Sequence, residues 1–182
     1  MAVYTQLGAE ALGGIIAAFD VGALVSAKGI AEGVSNSNWL VETTGPGGSG
    51  PGGSGARFIL TMYEKRLEIE DLPFFLGLLD HLAAQGCPVP RTIHDRSGAA
   101  WRFHEGKALA LIEFLPGVSV SNPTPAQARA VGAALAQIHL AAAGFTGARA
   151  NGLGLAGWHE LAAGCGAEGL AGIDPELAAL VA

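Results

Sequence analysis

The chain has 182 residues, a length that fits one ordinary domain or one lobe and part of another. Apolar residues make up 50% of the chain, enough for a sizeable core, and charged residues only 14%. The net charge of −6 argues against a nucleic-acid partner, and the three lysines are too few for a polybasic membrane patch.

The first residues and the cysteines indicate the cellular compartment. No basic residue precedes Lys28, so the charged region that opens a signal peptide is missing. The sequence has no run of about 18 apolar residues that would predict a membrane span. Cys87 and Cys165 form no CxxC motif, and we expect both to be small buried side chains in a reducing compartment. These features together predict a cytoplasmic protein without membrane partners.

The first third of the chain reads as a helix followed by three strands. The apolar pattern predicts a helix over 5–19 and strands at 24–30 and 38–43. A Gly-Pro-Gly-Gly-Ser unit then occurs twice within 45–55. This tandem has no residue that could fill a core, so it is predicted to be a flexible coil that enlarges a hairpin loop. The clearest strand of the chain follows at 57–63.

The segment between the first two strands is a glycine turn. Gly29 and Gly33 are four residues apart, and glycine lets a backbone approach a ligand closely. Such a turn between strands can lie over nucleotide phosphates and donate backbone N–H groups to them, although it is more often only a turn. Asn36 and Asn38 follow the glycines, and they either help to close the turn or reach a phosphate.

The rest of the chain mixes strands with helices. Residues 108–114 are almost wholly apolar, which predicts a central strand. The sequence also predicts a helix over 70–85, a short strand near 91–94, strands at 100–104 and 108–113, a helix over 124–143, a short helix at 156–164 and another that begins near Pro175. This order predicts an α+β fold with one mainly antiparallel sheet.

Several segments resemble a known superfamily in the same order along the chain. The glycine turn, the strand at 58–63, the helix at 71–86, the Pro88-Val89-Pro90 linker and residues 112–117 are similar to aminoglycoside phosphotransferases. More narrowly, residues 26–38, 58–66, 71–78 and 151–158 resemble the homoserine kinases of that superfamily.

The resemblance implies a fold and an activity. The fold would be a protein-kinase-like small lobe over 1–115 that binds the nucleotide. A connector and the first helices of a truncated helical lobe would follow over 116–182. The activity would be ATP-dependent phosphorylation of the L-homoserine hydroxyl, a step of threonine biosynthesis, with ATP and Mg²⁺ as cofactors.

The resemblance also assigns residues to the nucleotide. The superfamily has a lysine near the end of its third strand, and the best-aligned position here is Thr61, which carries no charge. Strand alternation places Lys65 on the same face, so Lys65 is the better candidate for the phosphate cation, with Lys28 as a weaker second. A solvated surface lysine is an equally open interpretation of Lys65. The acidic partner on the following helix would be Glu70 or Asp71.

The other side of the nucleotide would meet the connector. There the adenine edge would be read by backbone groups of Glu113, Phe114 and Leu115, which leave no side-chain signature.

The catalytic parts of the superfamily are missing. Its base lies in a His-x-Asp loop, and none of the five histidines here begins that motif. His139 and His159 are interpreted as packing residues. We therefore expect neither a catalytic residue nor a metal ligand within 1–182, and an inactive chain on its own. The alternatives are another small-molecule kinase of the choline or methylthioribose type, or a non-catalytic nucleotide-binding module.

Overall fold

The computed structural model describes residues 4–31, 35–45, 55–64, 68–177 and 179. The chain divides into two compact units, residues 1–147 and residues 148–182. The predicted division after residue 115 stays a prediction.

The described residues form one sheet of six strands, and each of its strand pairs is antiparallel. The strands are β1 (Leu24–Ile30), β2 (Asn36–Thr43), β3 (Ala56–Tyr63), β4 (Thr92–Ile93), β5 (Arg102–His104) and β6 (Lys107–Glu113). Their order is β1-β2-β3-β6-β4, and β5 also pairs with β6. The predicted α+β fold is confirmed, and so is the central position of the apolar strand β6.

Four α-helices lie in the described residues: α1 (Ala9–Ile16), α2 (Leu72–Ala84), α3 (Pro125–Ala142) and α4 (Leu155–Ile173). A 3-10 turn at Ile69–Asp71 precedes α2. At the start of α3, Thr124 and Gln127 form a reciprocal capping box, which accounts for the predicted beginning of this helix.

Two predicted helices differ from the observed ones. The helix predicted over 5–19 is observed only at Ala9–Ile16, and before it the N–H groups of Tyr4 and Thr5 donate to the Ser37 hydroxyl. The helix predicted at 156–164 extends to Ile173 but is interrupted at Gly166, whose φ of 67° lies in the left-handed region. The helix predicted near Pro175 falls partly outside the described residues.

Both faces of the central sheet are covered by helices. On one face, Ile16 of α1 packs against Leu60 and Leu111 in the larger core cluster. On the other face, Leu72 and Leu76 of α2 pack against alanines of β6. Since β6 is buried on both faces, its apolar run is explained without alternation. Ile59 of β3 pairs with Ile112 of β6, which packs against the α2 cluster, so Ile59 lies on this second face as well.

The remaining predictions concern cysteines and the membrane. Cys87 is buried, as expected, but Cys165 is exposed because it lies on α4, a helix without buried residues. In the part of the chain that the structure describes, no helix is long and apolar enough to cross a membrane. Of the flexible coil predicted at 45–55, residues 46–54 lie outside the described residues.

Candidate nucleotide-binding cleft

The register of the sheet builds rows of side chains across β1, β2 and β3. Lys28 pairs with Leu40, and Leu40 pairs with Ile59, so these three residues form one row. Alternate residues of a strand point to the same face. The next row on that face therefore contains Ile30, Asn38 and Thr61.

A cleft of about 390 Å³ opens on the first of these rows. Its lining consists of Lys28, Gly29, Ile30, Ala31, Leu40, Ile59 and Phe114. A concave, mainly apolar site with few polar groups is typical of small-molecule and cofactor pockets, and this volume lies in their usual range. The aliphatic side chains of Ile30, Leu40 and Ile59 offer the kind of surface on which a flat heteroaromatic ring packs.

The structure brings some of the predicted site residues together at this cleft. Gly29 and Phe114 line it directly. Asn38 and Thr61 belong to the neighbouring row, and Asn36 pairs with Tyr63 one row further along. The predicted residues Gly33 and Lys65 lie outside the described residues.

The pair Asn38 and Thr61 is joined by a side-chain hydrogen bond. The Thr61 hydroxyl donates to Oδ1 of Asn38 over 2.8 Å. Thr61 is only 8% exposed, whereas Asn38 is half-buried. At the position where the superfamily has a lysine, this chain thus has a neutral threonine that is hydrogen-bonded to Asn38.

In the connector after β6, two of the three backbone N–H groups predicted to face the adenine edge already have acceptors. The N–H of Glu113 donates to the carbonyl of Arg91 over 2.9 Å, and the N–H of Phe114 donates to the carbonyl of Arg57 over 3.3 Å. These two N–H groups are therefore engaged and do not point to a ligand. The Leu115 N–H has no backbone acceptor among the described residues, and Leu115 is 46% exposed. Of the three predicted residues, Leu115 is the one with an N–H available to a base.

Two arginines that the sequence analysis did not single out hold the connector. Nε and Nη2 of Arg91 each lie 3.2 Å from a carboxylate oxygen of Glu113. This pairing with Arg91 holds the pKa of the Glu113 carboxyl below its ordinary value. The guanidinium of Arg57 lies 4.6 Å from the centre of the Phe114 ring, a cation–π arrangement. Together the two arginines hold Glu113 and Phe114, and Phe114 lines the cleft.

The described lysines have different surroundings. Lys28 lines the cleft. Lys107 is held elsewhere, because its Nζ lies 2.5 Å from a carboxylate oxygen of Glu64 and 2.6 Å from the Thr5 hydroxyl. Of the predicted acidic partners, Glu70 lies in the 3-10 turn and Asp71 is the N-cap residue of α2.

The described residues contain no group of three or more His, Cys, Asp or Glu side chains that could hold a metal ion. His139 and His159 are both exposed. The packing role predicted for them is therefore not observed in the described part of the chain.

A mainly antiparallel sheet with a helix and an apolar cleft on the same face is the architecture of a protein-kinase-like small lobe. Residues 26–180 match the phosphotransferase enzyme family, and the chain belongs to that family.

Individual relatives are homoserine kinases. The chain is 47% identical over 181 residues to the homoserine kinase of Azorhizobium caulinodans, an alignment that covers 100% of this chain and 53% of that protein. The homoserine kinase of Xanthobacter autotrophicus is 47% identical over 161 residues, which cover 88% of this chain and 47% of the relative. The homoserine kinase of Hyphomonas neptunium is 43% identical over 181 residues, which cover 100% and 52%. The chain spans about half the length of the curated relatives it matches.

Proposed function

We propose that this chain is the nucleotide-binding part of a homoserine kinase, which transfers the γ-phosphoryl group of ATP to the hydroxyl of L-homoserine in threonine biosynthesis. The observation that carries the proposal is the apolar cleft between β1 and the connector, in a chain whose relatives are named homoserine kinases. We also propose a cytoplasmic location for this enzyme.

Each part of the cleft has a role in this proposal. The adenine ring would pack against the aliphatic side chains of Leu40 and Ile59, beside Ile30 of the next row. The Leu115 N–H would donate to the ring edge, and Phe114 would close the end of the cleft. Lys28 would add positive charge at the cleft wall. Bound ATP supplies the phosphoryl group, and holding it in one orientation is a large part of catalysis in phosphoryl transfer.

The catalytic base and the Mg²⁺ ligands are not assigned to the described residues. These residues hold no cluster of metal-ligating side chains, and residues 1–182 contain no His-x-Asp sequence. We therefore propose that this chain binds ATP but does not hydrolyse or transfer it on its own. The second candidate function is a non-catalytic nucleotide-binding module. The same two observations favour it over an enzyme whose catalytic residues all lie within residues 1–182.

The proposal is tested with the full-length gene product that contains this chain. We expect it to restore growth without threonine to a bacterium that lacks homoserine kinase. The variant Ile59→Trp, which fills the cleft, should abolish rescue, whereas Val118→Trp at an exposed position should not. Soluble yield and thermal stability of both variants control for misfolding.

Failure to rescue by a soluble protein that binds ATP would refute the substrate. It would indicate another small-molecule kinase of the family, such as one for choline or methylthioribose. Failure of the protein to bind ATP at all would refute the cleft as a nucleotide site.

A further inference from the structure

We propose that Thr61 is a positioning residue that fixes the side-chain amide of Asn38 as a neutral donor to the phosphates of the bound nucleotide. The inference rests on the proposed function, because it assigns a role at the same cleft. The observation behind it is the hydrogen bond from the Thr61 hydroxyl to Oδ1 of Asn38.

This hydrogen bond determines which end of the Asn38 amide is available to a ligand. An asparagine amide has an acceptor oxygen and a donor NH₂ group that can exchange places by rotation. The Thr61 hydroxyl is almost buried and needs an acceptor, which Oδ1 provides. With Oδ1 engaged, the NH₂ group of Asn38 is directed away from Thr61. No other partner of the Asn38 side-chain amide is seen within the described residues, so its two side-chain N–H donors remain for a ligand.

The position of Asn38 on the sheet suits a phosphate better than a base. The base would pack on the row that contains Leu40 and Ile59, and Asn38 lies two residues along β2 from Leu40. Two residues of a strand span about 6.8 Å. Asn38 is also on the side toward the glycine turn, since its partner on β1 is Ile30, the last residue of that strand. A ligand that places its base in the apolar row would thus extend its phosphates along the row of Asn38.

The two residues have different roles because they differ in exposure. Asn38 is half-buried and can touch a ligand, whereas Thr61 is nearly covered and acts through Asn38. Removal of the Thr61 hydroxyl should therefore weaken the binding of phosphates without changing the apolar surface that holds the base. A merely structural threonine would affect both equally.

The experiment measures the affinities of ATP and of adenosine for the 182-residue chain by titration calorimetry. We expect Thr61→Val, which preserves the shape but removes the hydroxyl, to weaken ATP about tenfold and to leave adenosine unchanged. Thr61→Ser should retain the affinity for ATP, because it keeps the hydroxyl. Asn38→Ala should show the same loss for ATP alone and serves as the second variant if Thr61→Val is poorly folded.

Three results would overturn the inference. The first is a folded Thr61→Val or Asn38→Ala variant that binds ATP as tightly as the wild type. The second is an equal loss of adenosine and ATP affinity, which would mean that the pair only supports the sheet. The third is a wild-type chain that binds neither molecule, a result that refutes the proposed function itself and is recognised before any variant is made.

Discussion

Substitution of Glu64 by alanine should destabilise the small lobe by a predictable amount. Its Oε1 accepts hydrogen bonds from the hydroxyls of Thr5 and Ser37, each over 2.7 Å, and its Oε2 accepts one from Lys107 over 2.5 Å. The Glu64 side chain is only 11% exposed, and Ser37 is fully buried. The substitution would leave the buried Ser37 hydroxyl without this acceptor and would release the Lys107 side chain.

The magnitude follows from the burial of the partners. A buried hydroxyl without an acceptor costs about 1–3 kcal/mol. The ion pair adds little, because Lys107 is 37% exposed and solvent screens it. We therefore expect Glu64→Ala to lower the free energy of unfolding by about 2 kcal/mol. In a unit of this size such a loss corresponds to a Tm that is about 4–8 °C lower.

The pH dependence of this effect has a defined sign. Burial raises the pKa of the Glu64 carboxyl, but the hydrogen bonds from Lys107, Ser37 and Thr5 together lower it below its ordinary value of 4.5. A carboxyl whose pKa is lowered on folding stabilises the protein above its unfolded pKa, and this contribution is lost as the pH falls through the folded pKa. The difference between wild type and Glu64→Ala should therefore be full at pH 7 and shrink progressively below pH 4.5.

Urea denaturation measures the effect through the midpoint concentration at constant slope. Glu68→Ala is the matched control, because Glu68 is an exposed glutamate nearby and its loss should cost less than about 0.5 kcal/mol. A loss below about 1 kcal/mol for Glu64→Ala at pH 7 would refute the reasoning, since the network would then contribute no more than a surface ion pair.

Three further predictions concern the core, the glycine-rich loop and a histidine. Leu60→Ala should cost about 2–5 kcal/mol because Leu60 is fully buried between the sheet and α1, whereas exposed Val118→Ala should change the urea midpoint little. Deletion of 46–54 with Thr44 and Gly45 retained should shift the Tm by less than about 3 °C, because loop closure depends weakly on loop length; a larger fall would mean that the loop is structural. His94 contacts two acceptors, the Gly98 carbonyl at 3.0 Å and Asp80 at 2.7 Å, and the bond to Asp80 raises the pKa of His94 above 6.5. Its stabilising contribution should be full below pH 6.5 and lost as the pH rises through the raised pKa. The difference in urea midpoint between wild type and His94→Ala should therefore shrink with rising pH, and a constant difference would contradict a stabilising role of protonated His94.

Apolar spacing and turn residues in the sequence correctly predicted those strands and helices whose ends depend on residues close by in the chain. The strand predicted at 24–30 is observed at Leu24–Ile30, and the helix predicted over 70–85 is observed at Leu72–Ala84. In both, apolar spacing and glycine or proline signals act within a few residues. The helix predicted from residue 5 was wrong at its start: the segment before Ala9 is held instead by Ser37, which is 32 residues further along the chain and accepts from the N–H of Thr5.

The candidate site was predicted only in part for the same reason. Gly29 and Phe114 were recognised from the glycine turn and the connector, and both line the cleft. Leu40 and Ile59 were not singled out as cleft residues, because their common position depends on the register of β2 and β3. The pairing of Arg91 with Glu113 likewise depends on which strands become neighbours, and no local pattern encodes it.

Hydrogen exchange of the chain with and without saturating ATP shows whether the nucleotide occupies this cleft. We expect slower amide exchange at residues 29–31, which line the cleft, and at Leu115, whose N–H would donate to the adenine. We expect no change along α3, which lies away from the lining residues in sequence and contributes none of them. Protection confined to α3 or elsewhere, or no protection at 29–31 and 115 while ATP is bound, would contradict the claim that this cleft holds the nucleotide.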